Sequence, residues 1–228
     1  MWGGAIDLVV FIVEGVQSRR IDERSFSRLH ALLQFGAGLL SSGRKRPRTA
    51  EVLGRHQTAW ASLALRVLSD GSLMADSPEM WLTLLNTLKT TLGFVSLHGS
   101  LGNTIGVICA VLRNVLRNVL ECEEAEGASA VLEDCVKTEC RVLSSIAASK
   151  ELQRHSYLFV GAIVDCVSGI RSPRAVRELL LPGVFALLDA CAPRQRKAVS
   201  AVLSPLGKVC LAQMNEWYLE DFKFKGSA

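Results

Sequence analysis

From end to end of this chain, apolar residues recur at i, i+3, i+4 and i+7, and no alternating, turn-bounded run interrupts them. That periodicity commits the backbone to two-faced helices, each of which must bury its apolar stripe against a neighbour. The fold class that follows is all-α. Composition agrees: with 49% hydrophobic residues and a formal net charge of only +4, disorder is excluded as the main state. A chain of 228 residues supports one domain or at most two, and buries roughly 70% of the surface its unfolded form exposes.

Helices are expected over Ala5 to about Gln17, Asp22 to Leu40, and Thr49 to Leu68, the last carrying Val52, Trp60, Leu63 and Val67. Ser77, Pro78 and Glu79 together mark a helix start: a capping hydroxyl, a pre-set φ and a carboxylate at the positive end of the dipole. Asn103 can cap a helix to about Glu121, in which the echo Leu112-Arg-Asn-Val-Leu-Arg-Asn-Val-Leu120 is too short for a coiled coil. The next helix spans about Ser129 to Ala147 and uses Leu132, Val136, Leu143 and Ile146; another spans about Leu152 to Val167. Four of the six prolines then fall between Pro173 and Pro205, forcing short elements. Ser172-Pro173 opens one helix, and Pro182-Gly183 is expected to break or kink it before Val184 to Ala190. There Pro182 lacks an amide and Gly183 tolerates φ > 0, so the pair reads as a structural corner that drops Val184, Phe185, Leu187 and Leu188 into the core. Helices over Pro193 to Leu203 and Pro205 to about Phe222 complete the set. About ten antiparallel helices on short loops, without a fixed sequence period, read as an irregular helical-repeat stack of the α-solenoid, armadillo/HEAT-like kind, one domain over 1–228.

Two segments test for targeting or membranes. The amino-terminal stretch has no basic region before its apolar residues, the first cation being Arg19, so a secretory leader is not expected. Thr90 to Leu112 lacks charge and is long enough to span a bilayer. Its centre, Ser96 to Thr104, is polar and Gly-rich, which hydrocarbon would leave unpaired; a loop between buried helices fits better, and no membrane is expected.

Charge is uneven. Residues 121–139 hold seven acids against one Lys, and residues 1–70 hold ten bases against six acids. The tightest basic run, Arg44, Lys45, Arg46 and Arg48, is open to reading as a nuclear-import signal, a phosphate-contacting loop or an ordinary solvated loop. RNA contact is not supported by charge, since no aromatics interleave with those arginines and the chain is only +4.

Chemistry-bearing patterns are missing. His30, His56, His98 and His155 each lack a His or Cys at i, i+4, so metal-site spacing is absent. The seven cysteines contain no C-x-x-C pair and read as small core residues of a reducing compartment. No phosphate loop, dinucleotide fingerprint or nucleophile elbow occurs, and Glu133/Asp134 and Glu220/Asp221 read as exposed helix faces. No cofactor and no enzyme activity is expected. Trp217, Tyr218, Phe222 and Phe224, interleaved with charges, have two readings: a terminal helix docking onto the core, or an aromatic anchor for a protein partner.

Leu181-Pro-Gly-Val-Phe-Ala-Leu-Leu-Asp-Ala-Cys191 and Trp217-Tyr-Leu-Glu-Asp-Phe-Lys-Phe-Lys225, with a helix-Pro-helix between them over Val199 to Met214 and His155-Ser-Tyr-Leu-Phe-Val160 upstream, carry a resemblance. Over residues 152–225 the chain resembles the carboxy-terminal domain of the second family of nucleolar pre-ribosomal-associated, or unhealthy ribosome biogenesis, proteins. The resemblance implies a nucleolar, non-enzymatic factor of large-subunit ribosome biogenesis and pre-rRNA processing, located in the nucleus. It implies partners as well: a larger helical-repeat assembly scaffold and a DEAD-box helicase. Members of that family are far longer than this chain, which would then be a terminal domain, a truncated form or a reduced homologue. The competing reading, equally compatible with composition, is a generic helical adaptor in trafficking or signalling.

Overall fold

The computed structural model describes Ala31 and residues 78–98, 104–122, 129–170 and 174–223. The three helices expected before residue 70 lie outside these, apart from Ala31, which is helical. Among the described residues there are eight α-helices and no strand, which agrees with an all-α chain. They are α1 (Pro78–His98), α2 (Thr104–Glu121), α3 (Ser129–Ala148), α4 (Lys150–Gln153), α5 (Ser156–Gly169), α6 (Arg174–Ala190), α7 (Pro193–Val202) and α8 (Pro205–Trp217). A π-helical turn, Tyr218–Lys223, extends α8. No helix among the described residues is long and apolar enough to cross a membrane.

α5 organises the rest. Its sequence, SYLFVGAIVDCVSG, has one charged residue, and Phe159, Val160, Ile163, Val164, Cys166 and Val167 are all buried. A helix apolar on every side must be surrounded. Accordingly α2, α3, α6, α7 and α8 all pack on it. Each fully buried Val, Ile or Phe contributes about 1.5–3 kcal/mol before entropy is subtracted. Around this axis the buried residues from Met80 to Met214 form one continuous apolar cluster. Two buried thiols tie it to main chain, Cys166 donating to the Arg113 carbonyl at 3.6 Å and Cys135 to the Pro78 carbonyl at 3.5 Å.

Three boundaries differ from expectation. α1 continues to His98, through part of the polar stretch expected as loop. The helix expected over Leu152 to Val167 is divided at Arg154 and His155, the latter at φ −113°, ψ 3°. There Gln153 turns its amide back to the Ala147 carbonyl at 2.8 Å, satisfying the end of α3 instead of extending the helix.

The third difference corrects the Pro182–Gly183 corner. α6 runs unbroken from Arg174 to Ala190 with Pro182 inside it. Pro182 withdraws the N–H that would reach the Glu178 carbonyl one turn back, yet packing of α6 along α3 holds the helix together. Gly183 does not take a positive φ. It serves by lacking a Cβ, which would lie 2.9 Å from the Cys140 carbonyl oxygen and 3.1 Å from the Leu143 Cβ. So the pair marks a close helix–helix approach rather than a turn. Val184, Phe185, Leu187 and Leu188 are buried as expected.

Candidate functional site

The expected helix-Pro-helix is α7 and α8, joined at Leu203 and Ser204. Ser204 caps α8 by accepting the Gly207 N–H at 3.0 Å, and Pro205 follows with no amide left to satisfy. The one acid of α5, Asp165, completes this cap: its Oδ1 accepts the Ser204 hydroxyl at 2.7 Å and the Ser204 N–H at 3.2 Å. A carboxylate at a helix N-terminus is favourable to the dipole. Gly207 is what admits it, since a Cβ there would overlap Asp165. α7 is tied at its own start by Gln195, whose Oε1 accepts the Ala192 N–H at 2.7 Å while its Nε2 donates to the Gln153 carbonyl at 3.1 Å.

These anchors leave an outward face. Inward, α8 buries Gly207, Leu211 and Met214. Outward, Val202 is 55% exposed, Leu206 59%, Val209 57% and Trp217 39%, with Leu219 exposed beyond. The aromatic tail therefore divides. Tyr218 turns in: its ring meets Phe185 at a centroid distance of 5.3 Å and its hydroxyl donates to Asp189. That hydrogen bond, then burial, raises the Tyr218 pKa. Trp217 turns out. Phe222 lies in the π-helical turn, its side chain outside the described residues, as is all of Phe224.

The basic run Arg44, Lys45, Arg46 and Arg48 also lies outside the described residues. Glu133 pairs with Lys137 at 2.7 Å on an exposed face, one turn apart, as a solvated helix surface would. Among the described residues no group of three His, Cys, Asp or Glu could hold a metal ion. None of the seven cysteines is in a disulfide. Burial pushes the thiols of Cys109 and Cys135 up to about 12, and those of Cys166 and Cys191 up to about 11. Cys140 and Cys210 are raised by burial too, the former opposed by a backbone hydrogen bond from Gly183. Thiols held protonated are poor nucleophiles.

One residue escaped the sequence reading. Glu139 of α3 is fully buried and neither carboxyl oxygen has a hydrogen-bond partner. Burial holds its pKa well above the usual carboxylate range, because desolvation disfavours the charged form. The signal was present: Leu132, Val136, Leu143 and Ile146 form the inward stripe of α3, and position 139 is the step between Val136 and Leu143.

Compared with known proteins, residues 23–227 match the family model described as the Urb2/Npa2 family. The match extends well upstream of the 152–225 stretch that carries the quoted motifs. Comparisons with curated proteins and with solved structures gave no match.

Proposed function

The chain belongs to the Urb2/Npa2 family, a family of nucleolar ribosome-biogenesis factors not known as enzymes, and we propose that it is a non-enzymatic scaffold in assembly of the large ribosomal subunit. In this reading the chain is one domain, an irregular α-solenoid whose helices bury their stripes and offer outer faces to other proteins. It works by binding within a pre-ribosomal complex that holds a larger helical-repeat scaffold and a DEAD-box helicase, and it resides in the nucleolus. The family match over residues 23–227 carries the proposal. Supporting it are the apolar core continuous from Met80 to Met214 and the exposed apolar face of α7 and α8. Trp217 is the anchor on that face. Arg44, Lys45, Arg46 and Arg48 serve as an import signal or as a phosphate-contacting loop.

The test is a pull-down of the intact chain from cells, probed for pre-ribosomal proteins and large-subunit precursor rRNA, with fluorescent tagging alongside. Nucleolar signal and co-purified precursor rRNA are expected. Vesicular or cortical signal without them would favour an adaptor in trafficking or signalling. A Trp217→Ala, Phe222→Ala variant that folds but loses those proteins supports the aromatic anchor; undiminished capture refutes it.

A further inference from the structure

Glu139 is a buried titratable group that the scaffold reading leaves without a role. It has no exposed surface, and neither carboxyl oxygen has a hydrogen-bond partner among the described residues. Two buried thiols mark its place, because its charge would act on both: Cys135, one turn back on α3, and Cys166, across on α5. Each thiol is itself a tie between helices, Cys135 to the Pro78 carbonyl of α1 and Cys166 to the Arg113 carbonyl of α2. The carboxyl therefore sits where α3 meets α5, beside the ties to α1 and α2. α3 packs far more extensively on α1 and α6 than on α5, so this seam is the weakest side of its surroundings.

Charges on the surrounding helices do not compensate it. Glu79 of α1 acts on Cys135, and Arg113, Arg117 and Glu121 of α2 act on Cys166. On α3 itself, Asp134 acts on Cys135, while Arg141 and Glu139 act on Cys140. Neither these charges nor any of α4 or α6, which also pack on α3, act on the Glu139 carboxyl, where burial alone disfavours ionisation. An ionised carboxylate there would be an unpaired charge in an apolar core, which is far more costly than one in water. Opening one seam relieves that cost without unfolding the whole chain. We propose that Glu139 is a latch on the seam between α3 and α5: the seam closes over the protonated acid, and loss of the proton to solvent opens it locally, uncovering Cys135 and Cys166 together. The open form is a minor population that grows as pH rises.

Thiol labelling of the native chain tests this. The full chain is treated with a dipyridyl disulfide at concentrations where labelling is linear in reagent, so that the rate reports the opening equilibrium. Each cysteine is followed separately by peptide mass spectrometry. In an opened segment a thiol with its ordinary pKa of about 8.5 gains thiolate, and hence rate, by about tenfold per pH unit. From about pH 5 up to the folded pKa of Glu139, opening linked to its ionisation adds a second factor of about ten per unit. Cys135 and Cys166 should therefore speed up by about a hundredfold per unit in that window. Cys109 and Cys191, whose thiols Glu139 does not influence, should speed up by about tenfold. In Glu139→Gln all four should follow the shallower course. The shallow course at Cys135 and Cys166 of the wild type would overturn the latch. So would the steep course at all four, which makes the opening global, or a steep course that survives in Glu139→Gln. Should Glu139→Gln not fold, the contrast between the two pairs of thiols within the wild type decides alone.

Discussion

Glu139 gives the sharpest physical test of the core. Replacing it with Gln keeps shape and hydrogen-bonding capacity but removes ionisation. In the unfolded chain a Glu has a pKa near about 4.3, whereas burial holds Glu139 well above the usual range in the folded chain. Between those two values the folded state binds one proton more than the unfolded state. Stability to unfolding must then fall as pH rises, by about 1.4 kcal/mol per pH unit for a single group. That contribution is fully present below the unfolded pKa and is lost as pH climbs toward the folded pKa. Neighbouring thiols do not blur the window, since Cys135 and Cys166 are pushed to about 12 and about 11. Urea melts of wild type and Glu139→Gln at successive pH values above about 4.3 should therefore diverge, the variant gaining on the wild type as pH rises until the folded pKa is reached. Other titrating groups cancel in the difference. Parallel curves would mean that Glu139 is charged or solvated in the folded protein, and the account of α3 would be wrong.

Other expectations can be checked on the same preparation. Leu188→Ala removes a buried side chain of α6 and should cost about 2–5 kcal/mol in a denaturant melt; an unchanged midpoint would refute its placement. Gly183→Ala gains about 1 kcal/mol of helix propensity, but its Cβ meets the Cys140 backbone, so net destabilisation is expected, and a raised Tm would show that α3 and α6 are not in close approach. Thiol titration of the native chain with a disulfide reagent at pH 8 should give slow reaction at Cys109, Cys135, Cys166 and Cys191, because burial suppresses their thiolates; a fast-reacting one among these four would revive a cysteine chemistry.

The elements legible beforehand were those whose local signals agreed with their packing. Pro78 does open α1, and Ser204 with Pro205 does open α8, because capping is a matter of a few adjacent residues. Illegible features depended on what stands opposite. Pro182 and Gly183 read locally as a corner, yet Gly183 faces the backbone of α3, and that contact outweighs the missing amide. Tyr218 and Trp217 are adjacent and similar in composition terms; only the positions of Phe185 and Asp189 send one inward and the other out. Glu139 was passed over because an acid is normally assigned to water, though the spacing of its neighbours left no other side for it to face.

Enclosure of α5 has a consequence during synthesis. Its last wrappings, α7 and α8, leave the ribosome after it, so for that interval a strongly apolar rod has only part of its sheath. A transcript cut short before Pro193 would make that interval permanent. Such a product is expected to be sticky and short-lived, which makes the closing helices a cover for the apolar rod beneath them.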